Sequence, residues 1–249
     1  MIKAIFFDID GTLITHEDQK MPSSTLKSLQ LLKEKGIKLF VCTGRPYHYM
    51  KFIREMFEFD GYVCCNGQHV VDHNFKTLSK SFINQEDINA LVEYVDNGKI
   101  KCDIALEDQV YRNYNNDYKG MKGTYSLSLK ECLNKKAYQA MVYVSDDYPL
   151  LDVMPHCKSQ RWTPDFMDVV PQDGGKDRGI DKVIEILGIT LDQTMAFGDG
   201  LNDILMLRHA GLSVAMGVSD KEVKNVASYV TTDIKDDGIY NALKHFKIL

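Results

Sequence analysis

The sequence predicts an α/β fold of the Rossmann-like kind, a doubly wound parallel sheet interrupted by an inserted α+β module. Three observations predict it. Short, continuous apolar runs, as of strands buried on both faces, alternate with helical segments at both ends of the chain. Four of those runs or junctions close on clusters of Asp, Thr, Gly or Lys, where an open parallel sheet binds its ligands. The middle has another texture, rich in polar and aromatic turns.

Residues 2–9 form a nearly unbroken apolar run, the first central strand. Leu26, Leu29, Leu31 and Leu32 line one broad side of a helix over 24–35, which Gly36 ends. A second buried strand covers 37–42, a helix 47–57 and a third strand 61–65. After the middle segment the alternation resumes, with helices over 177–187, 201–209, 223–227 and 238–246. Strands at 194–197, 212–216 and 229–232 separate them. These elements place the main domain at 1–82 and 173–249 and the inserted α+β module at 83–172. The module has a helix near 86–95 and strands at 102–106 and 138–144, and 111–116 reads as a polar, aromatic turn.

Bulk properties narrow the function. The 249 residues are 44% hydrophobic and 26% charged, a globular and not a disordered composition. A net charge of −5 argues against a general nucleic-acid binder, though not against a small anionic substrate held in a local site of opposite sign. No run approaches the ~18 apolar residues of a membrane span, and Asp8 interrupts the N-terminal run too early for a signal peptide. The six cysteines lack a CxxC pair or zinc spacing, and Cys64 and Cys65 on a strand would face opposite sides. They read as small buried hydrophobes in a reducing compartment, which leads us to expect a cytoplasmic enzyme.

Four motifs carry chemistry. Asp8-Ile9-Asp10-Gly11-Thr12-Leu13 follows the first strand, and carboxylates two residues apart there reach one pocket. An EF-hand loop would need glycine where Leu13 stands. Thr43-Gly44-Arg45 follows the second strand, where a hydroxyl and backbone N–H groups can hold a phosphate oxygen. A cysteine-phosphatase loop beginning at Cys42 would need arginine at position 48, which is His48. Lys176, in Gly174-Gly175-Lys176-Asp177, opens a helix and can act as a point charge on phosphate. Val170 and Asp177 rule out a nucleotide P-loop there. Gly198-Asp199-Gly200-Leu201-Asn202-Asp203 closes one strand and opens a helix. Each motif alone also fits ordinary turn or capping chemistry. Together, Asp8, Asp10, Asp199 and Asp203 would repel one another unless a cation joined them, and an all-oxygen site beside phosphate favours Mg²⁺.

DxDGT, TGR, Lys and GDGxND, in that order, resemble the motifs of the haloacid dehalogenase superfamily of phosphotransferases. The insertion resembles the larger, C2-type α/β cap of its Cof-type phosphatases. The resemblance implies Asp8 as nucleophile and Asp10 as general acid and base. It implies Mg²⁺ held by the Asp8 side chain, the Asp10 backbone carbonyl and Asp199, with Asp203 in support. Thr43, Gly44, Lys176 and Asn202 would hold the phosphoryl group, and Arg45, Asn66 and Gly67 would lie near the substrate. Tyr111, Arg112, Tyr114, Trp162 and Phe166 are cap residues that would read the rest of it. Two departures from the pattern are Ile9 for the usual leucine and the absence of the usual serine before Lys176. Retention of Asp10 separates the chain from the superfamily's dehalogenases and ion pumps. The implied substrate is a small phosphate monoester, a sugar phosphate foremost, with no nucleic-acid or membrane partner. A phosphomutase on the same scaffold and a non-catalytic metal- or phosphate-binding module are the alternatives.

Overall fold

The computed structural model describes residues 1–115, 123–145, 149–163 and 165–249. The first elements are β1 (Ala4–Phe7), α1 (Ser23–Glu34), β2 (Lys38–Cys42), α2 (Lys51–Met56) and β3 (Gly61–Cys64). A hairpin of β4 (His69–Asp72) and β5 (Thr77–Lys80) follows. Next come α3 (Gln85–Gly98), β6 (Cys102–Leu106), β7 (Val110–Arg112), β8 (Thr124–Tyr125), β9 (Ala137–Val142), β10 (Cys157–Thr163) and β11 (Phe166–Pro171). The chain closes with α4 (Lys176–Leu187), β12 (Thr194–Gly198), α5 (Ile204–His209), β13 (Leu212–Ala215), α6 (Lys221–Val226), β14 (Tyr229–Val230) and α7 (Gly238–His245).

The larger sheet runs β14-β13-β12-β1-β2-β3-β4-β5, parallel from β14 to β3, with the β4–β5 hairpin added antiparallel at the edge. Its inner strands, from β12 to β3, are almost wholly apolar and buried because each face is covered. Ile5 and Phe7 point into the layer that includes Leu29 and Leu32 of α1 and Leu243 of α7. Ala4 and Phe6 point into the opposite layer, with Ile180 of α4, Met206 of α5 and Val223 of α6. Stacked rings tie neighbouring strands, Phe6 on Phe40 and Phe7 on Phe197. The chain winds outward from β1 through β2 and β3, then returns to β12 on the other side of β1. That reversal leaves a crevice between the carboxyl ends of β1 and β12.

A second sheet, β10-β11-β9-β6-β7-β8, is antiparallel except for its last pair. It packs on α3 through Ile88, Leu91, Ile104, Ala140 and Val169. Two short links, 81–84 and 172–175, join the sheets.

Several local expectations are corrected. The stretch 47–57 is a 3₁₀ turn, Tyr47–Tyr49, followed by α2, and 201–209 begins as the 3₁₀ turn Leu201–Asp203. Cys65 leaves the third strand with φ +50°, so it does not alternate with Cys64. All six cysteines are free and buried. Tyr111 and Arg112, read as turn residues, are buried in β7, where pairing with β6 satisfies their backbone. Asn116, at the end of that stretch, lies outside the described residues.

Candidate active site

Asp8 leaves β1 at the crevice with its backbone still in the sheet, its N–H donating to the Phe197 carbonyl of β12. It is nearly buried, 7% exposed, and Oδ1 accepts a 2.6 Å hydrogen bond from Lys176 Nζ. The same ammonium donates to Asp203 Oδ1, also at 2.6 Å, and is itself fully buried at the start of α4. Asp203 Oδ2 in turn accepts the backbone N–H groups of Asp199 and Gly200, which folds the 198–203 loop around it. Asp199 Oδ1 accepts from the Thr12 hydroxyl, and its Oδ2 lies 3.6 Å from His16 Nε2. Oxygens of Asp8, Asp199 and Asp203 all fall within 4.8 Å of one another.

This concentration of charge perturbs every group in it. Burial pushes the Asp8 carboxyl up to about 7, although the Lys176 ammonium opposes the shift. Burial also raises Asp203, again against Lys176, and raises Asp199. Burial would lower Lys176, but Asp203 and Asp8 outweigh it and hold the amine protonated. Three carboxylates around one ammonium leave a net charge of −2 when all are ionised. An all-oxygen donor set carrying that charge fits a hard divalent cation.

Asp10 turns the other way. Arg45 grips it through two hydrogen bonds, Nε to Oδ2 at 2.8 Å and Nη2 to Oδ1 at 2.7 Å. Gln19 bridges the pair, accepting from Arg45 at 3.0 Å and donating to Asp10 at 3.4 Å. The guanidinium also lies over the Phe52 ring, and Arg45 is only 8% exposed. Thr43 Oγ1 accepts the Arg45 backbone N–H, which closes the loop after β2. Asp8, Asp10, Thr43, Gly44, Arg45, Asp199 and Asn202 share the wall of one cavity of about 320 Å³. Across it, the second sheet contributes Asp103, Ala105, Val110, Arg112, Gln139, Met141 and Asp168.

The expected residues therefore divide into groups. The Asp10 carboxylate is committed to Arg45 and stands apart from the carboxylate triad. Lys176 and Asp203 form the floor behind Asp8, sealed from the cavity. Asn66 and Gly67, expected near the substrate, do not line it. Gly67 (φ +95°) packs on the start of α4, where a Cβ would come within 1.9 Å of the Gly175 carbonyl oxygen. Asn66 is fully buried and bonded between the two sheets. Of the cap residues named from sequence, Arg112 reaches the cavity, paired with Asp103 at 3.2 Å. Tyr111 and Phe166 are buried packing residues, and the Tyr114 hydroxyl donates to Asp103 beside the cavity. The Trp162 side chain lies outside the described residues. Sequence reasoning missed Gln19, Asp103, Gln139 and Asp168. The one signal for the last two was a lone polar residue inside an apolar strand, Gln139 in β9 and Asp168 in β11.

Residues 5–243 match the family described as haloacid dehalogenase-like hydrolase. The chain belongs to that family. YkrA of Bacillus subtilis is 33% identical over 255 residues, covering 99% of this chain and 98% of that protein. The pyridoxal phosphate phosphatase YbhA of Escherichia coli is 27% identical, covering 95% and 96% of the two chains. Among solved structures, the subclass IIB sugar phosphatase BT4131 superposes with a TM-score of 0.91 at 36% identity, covering 99% of this chain and all of that one. The resemblance to Cof-type members of the superfamily holds along the whole chain, and its enzymatic class is phosphoric monoester hydrolase.

Proposed function

We propose that this chain is a Mg²⁺-dependent phosphatase of small phosphate monoesters, sugar phosphates foremost, that works through phosphorylated Asp8. The observation that carries the reading is the Asp8–Lys176–Asp203 arrangement beside Asp199, facing a cavity that Asp10 shares. Asp8, Asp199 and the Asp10 backbone carbonyl would hold the ion, with Asp203 in support; it would neutralise charge on the phosphoryl oxygens and keep Asp8 ionised.

In the first step an Asp8 carboxylate oxygen attacks phosphorus, the bond to the ester oxygen breaks, and Asp10 gives its proton to the departing alkoxide. In the second, Asp10 takes a proton from water, whose oxygen attacks the same phosphorus and expels Asp8 as carboxylate. Lys176 fixes the rotamer of Asp8 from behind and offsets its charge. Arg45 holds both Asp10 oxygens at rest; for the transfers one of these bonds would open so that the freed oxygen carries the proton, while the other keeps the carboxyl oriented. Thr43, Gly44 and Asn202 supply the donors for the transferred group.

In this reading residues 83–172 are a cap that closes the cavity and excludes water. Its mixed wall of carboxylates, arginine and glutamine with apolar gaps suits a polyol, as does the likeness to a sugar phosphatase. Free, buried cysteines suit a reducing cytoplasm. The net charge of −5 gives no purchase for nucleic acid, and no helix among the described residues is long and apolar enough to cross a membrane.

The test is phosphate release from a panel of hexose, pentose, nucleotide and pyridoxal phosphates, with Mg²⁺ or with EDTA, for wild type and Asp8→Asn. Release that needs Mg²⁺ and vanishes in the variant supports the reading. Isomerised sugar phosphate with little free phosphate would replace it with a mutase.

A further inference from the structure

We propose that Asn66 is a positioning residue that couples cap closure to the phosphate site, a role resting on the placement of phosphate at Thr43, Gly44 and Asn202 above. Asn66 is fully buried, yet each end of its amide is used. Nδ2 donates to Asp168 Oδ2 at 2.8 Å and to Gln139 Oε1 at 3.2 Å, both on the second sheet. Oδ1 accepts from Asn202 Nδ2 at 3.4 Å, on the 198–203 loop.

The backbone ties the same residue to the third part of the site. Asn66 sits in the left-handed region (φ 49°, ψ 44°), a conformation that asparagine tolerates better than most residues. Its N–H donates to the Thr43 carbonyl, and the preceding Cys65 N–H donates to the Arg45 carbonyl. Gln139 completes the circuit by donating to the Gly44 carbonyl at 2.7 Å. A Cβ on Gly44 would lie 3.1 Å from both Asn66 Nδ2 and Asp168 Oδ2, so glycine is what lets the phosphate loop approach this junction. One residue thus ties together the loop after β2 through its backbone N–H, and the loop after β12 and two strands of the cap through its side-chain amide.

The consequence follows from what each contact needs. The bonds to Asp168 and Gln139 exist only with the cap seated, because those residues belong to β11 and β9. With the cap lifted, the Asn66 amide loses its acceptors and is free to rotate, and the Gly44 carbonyl loses its donor. Asn202 and the 43–45 loop then lose their fixed positions. With the cap seated, both phosphate-holding segments lock together, at the moment when water is excluded. Donors held rigidly act mainly on the transition state, so the coupling should appear in kcat more than in KM.

The experiment exchanges the polarity of one bond. Asn66→Asp removes the donor and sets two carboxylates against each other, and Asp168→Asn removes the acceptor charge. In the double variant N66D/D168N the amide of residue 168 donates to the carboxylate of residue 66. Steady-state kinetics on glucose 6-phosphate are run well below each variant's Tm, beside Thr43→Val and Asn202→Ala. We expect each single exchange to lower kcat by about 10- to 100-fold, as for a charge-assisted hydrogen bond, with KM changed less than about threefold. The double exchange should be at least as active as the better single variant. Losses that multiply in the double variant, or singles with unchanged kcat, overturn the coupling. If Thr43→Val and Asn202→Ala both leave turnover intact, the placement of the phosphate is wrong and the coupling falls with it. Should N66D fail to fold, Gln139→Met removes one of the cap's two bonds to Asn66 and its bond to the Gly44 carbonyl from the other side. A fall in kcat of about tenfold then supports the coupling, and an unchanged kcat overturns it.

Discussion

Lys176 offers a sharp test of how the acidic site is held together. Its ammonium is fully buried and stands 2.6 Å from both Asp8 Oδ1 and Asp203 Oδ1. Lys176→Met keeps the chain's approximate volume and removes the charge. Two buried carboxylates then lose their counterion, a change that costs roughly 3–5 kcal/mol when one partner of a buried pair is deleted. For a chain of this size each kcal/mol moves Tm by about 2–4 °C, so the variant should melt about 6–20 °C lower at pH 8 in EDTA. The loss has a sign in pH. Burial already pushes the Asp8 carboxyl up to about 7, because it favours the protonated form. Without Lys176 that carboxyl rises further, so at pH 5 the variant holds neutral acids and the deficit shrinks. Mg²⁺ should restore part of the Tm at pH 8 by taking over the neutralisation. Activity should still fall by about 10²–10³-fold, the effect of deleting one preorganised charge at a reacting centre. Lys176→Arg should not rescue, since a planar guanidinium does not fit the space between the two carboxylates. The assay is thermal unfolding at pH 5 and 8, with EDTA or MgCl₂, alongside phosphate release. A variant that melts with wild type at pH 8 in EDTA, or that keeps kcat within about threefold, would refute the argument.

Three further outcomes are expected. Arg45→Ala frees Asp10 from its two-point grip and should lower kcat by about 10- to 100-fold on a sugar phosphate. The loss should be much smaller on p-nitrophenyl phosphate, whose leaving group needs no proton; equal losses would show that Arg45 does not act through Asp10. Gly67→Ala drives a Cβ to 1.9 Å from the Gly175 carbonyl oxygen at φ +95°. It should cost about 2–4 kcal/mol of stability, read as the denaturation midpoint, and an unchanged midpoint would refute the packing. Asp103 is raised by burial to about 6, so its native-state cost is absent below about pH 4 and complete above pH 6. Asp103→Asn should therefore gain about 2–3 kcal/mol on wild type between pH 4.5 and 7.5. A difference in Tm that stays constant across that range would show that Asp103 ionises normally.

The gains and failures of the sequence reading have physical causes. The four motifs were legible because three combine a buried apolar strand with a polar terminus and the fourth opens a helix after a glycine pair, all local patterns. Such a pattern fixes where Asp8, Thr43, Lys176 and Asp199 stand along the chain. The two-faced burial of β1 was legible in the same way, since a run without alternation implies cover on both sides. The β4–β5 hairpin was missed because its short strands carry no long apolar run. Its Leu78 is exposed and its pairing depends on an edge that β3 supplies. The order of the Asp10–Arg45–Gln19 clamp was hidden because its members lie 9 to 35 residues apart, on three separate segments, where spacing carries no information.

What the sequence determined by itself is the chemistry at hand: two acids after one strand, a hydroxyl and glycine after another, a lysine and a second acidic loop. What only the tertiary structure decided is their division of labour. Folding spends the Lys176 charge on Asp8 and Asp203, gives Asp10 to Arg45, and turns the Asn66 amide to the seam between the sheets. The reason is burial. An exposed charge chooses among many partners and water, whereas a desolvated one must take the partner that packing brings within reach, and that partner is fixed by strand order and not by the residues beside it in the chain.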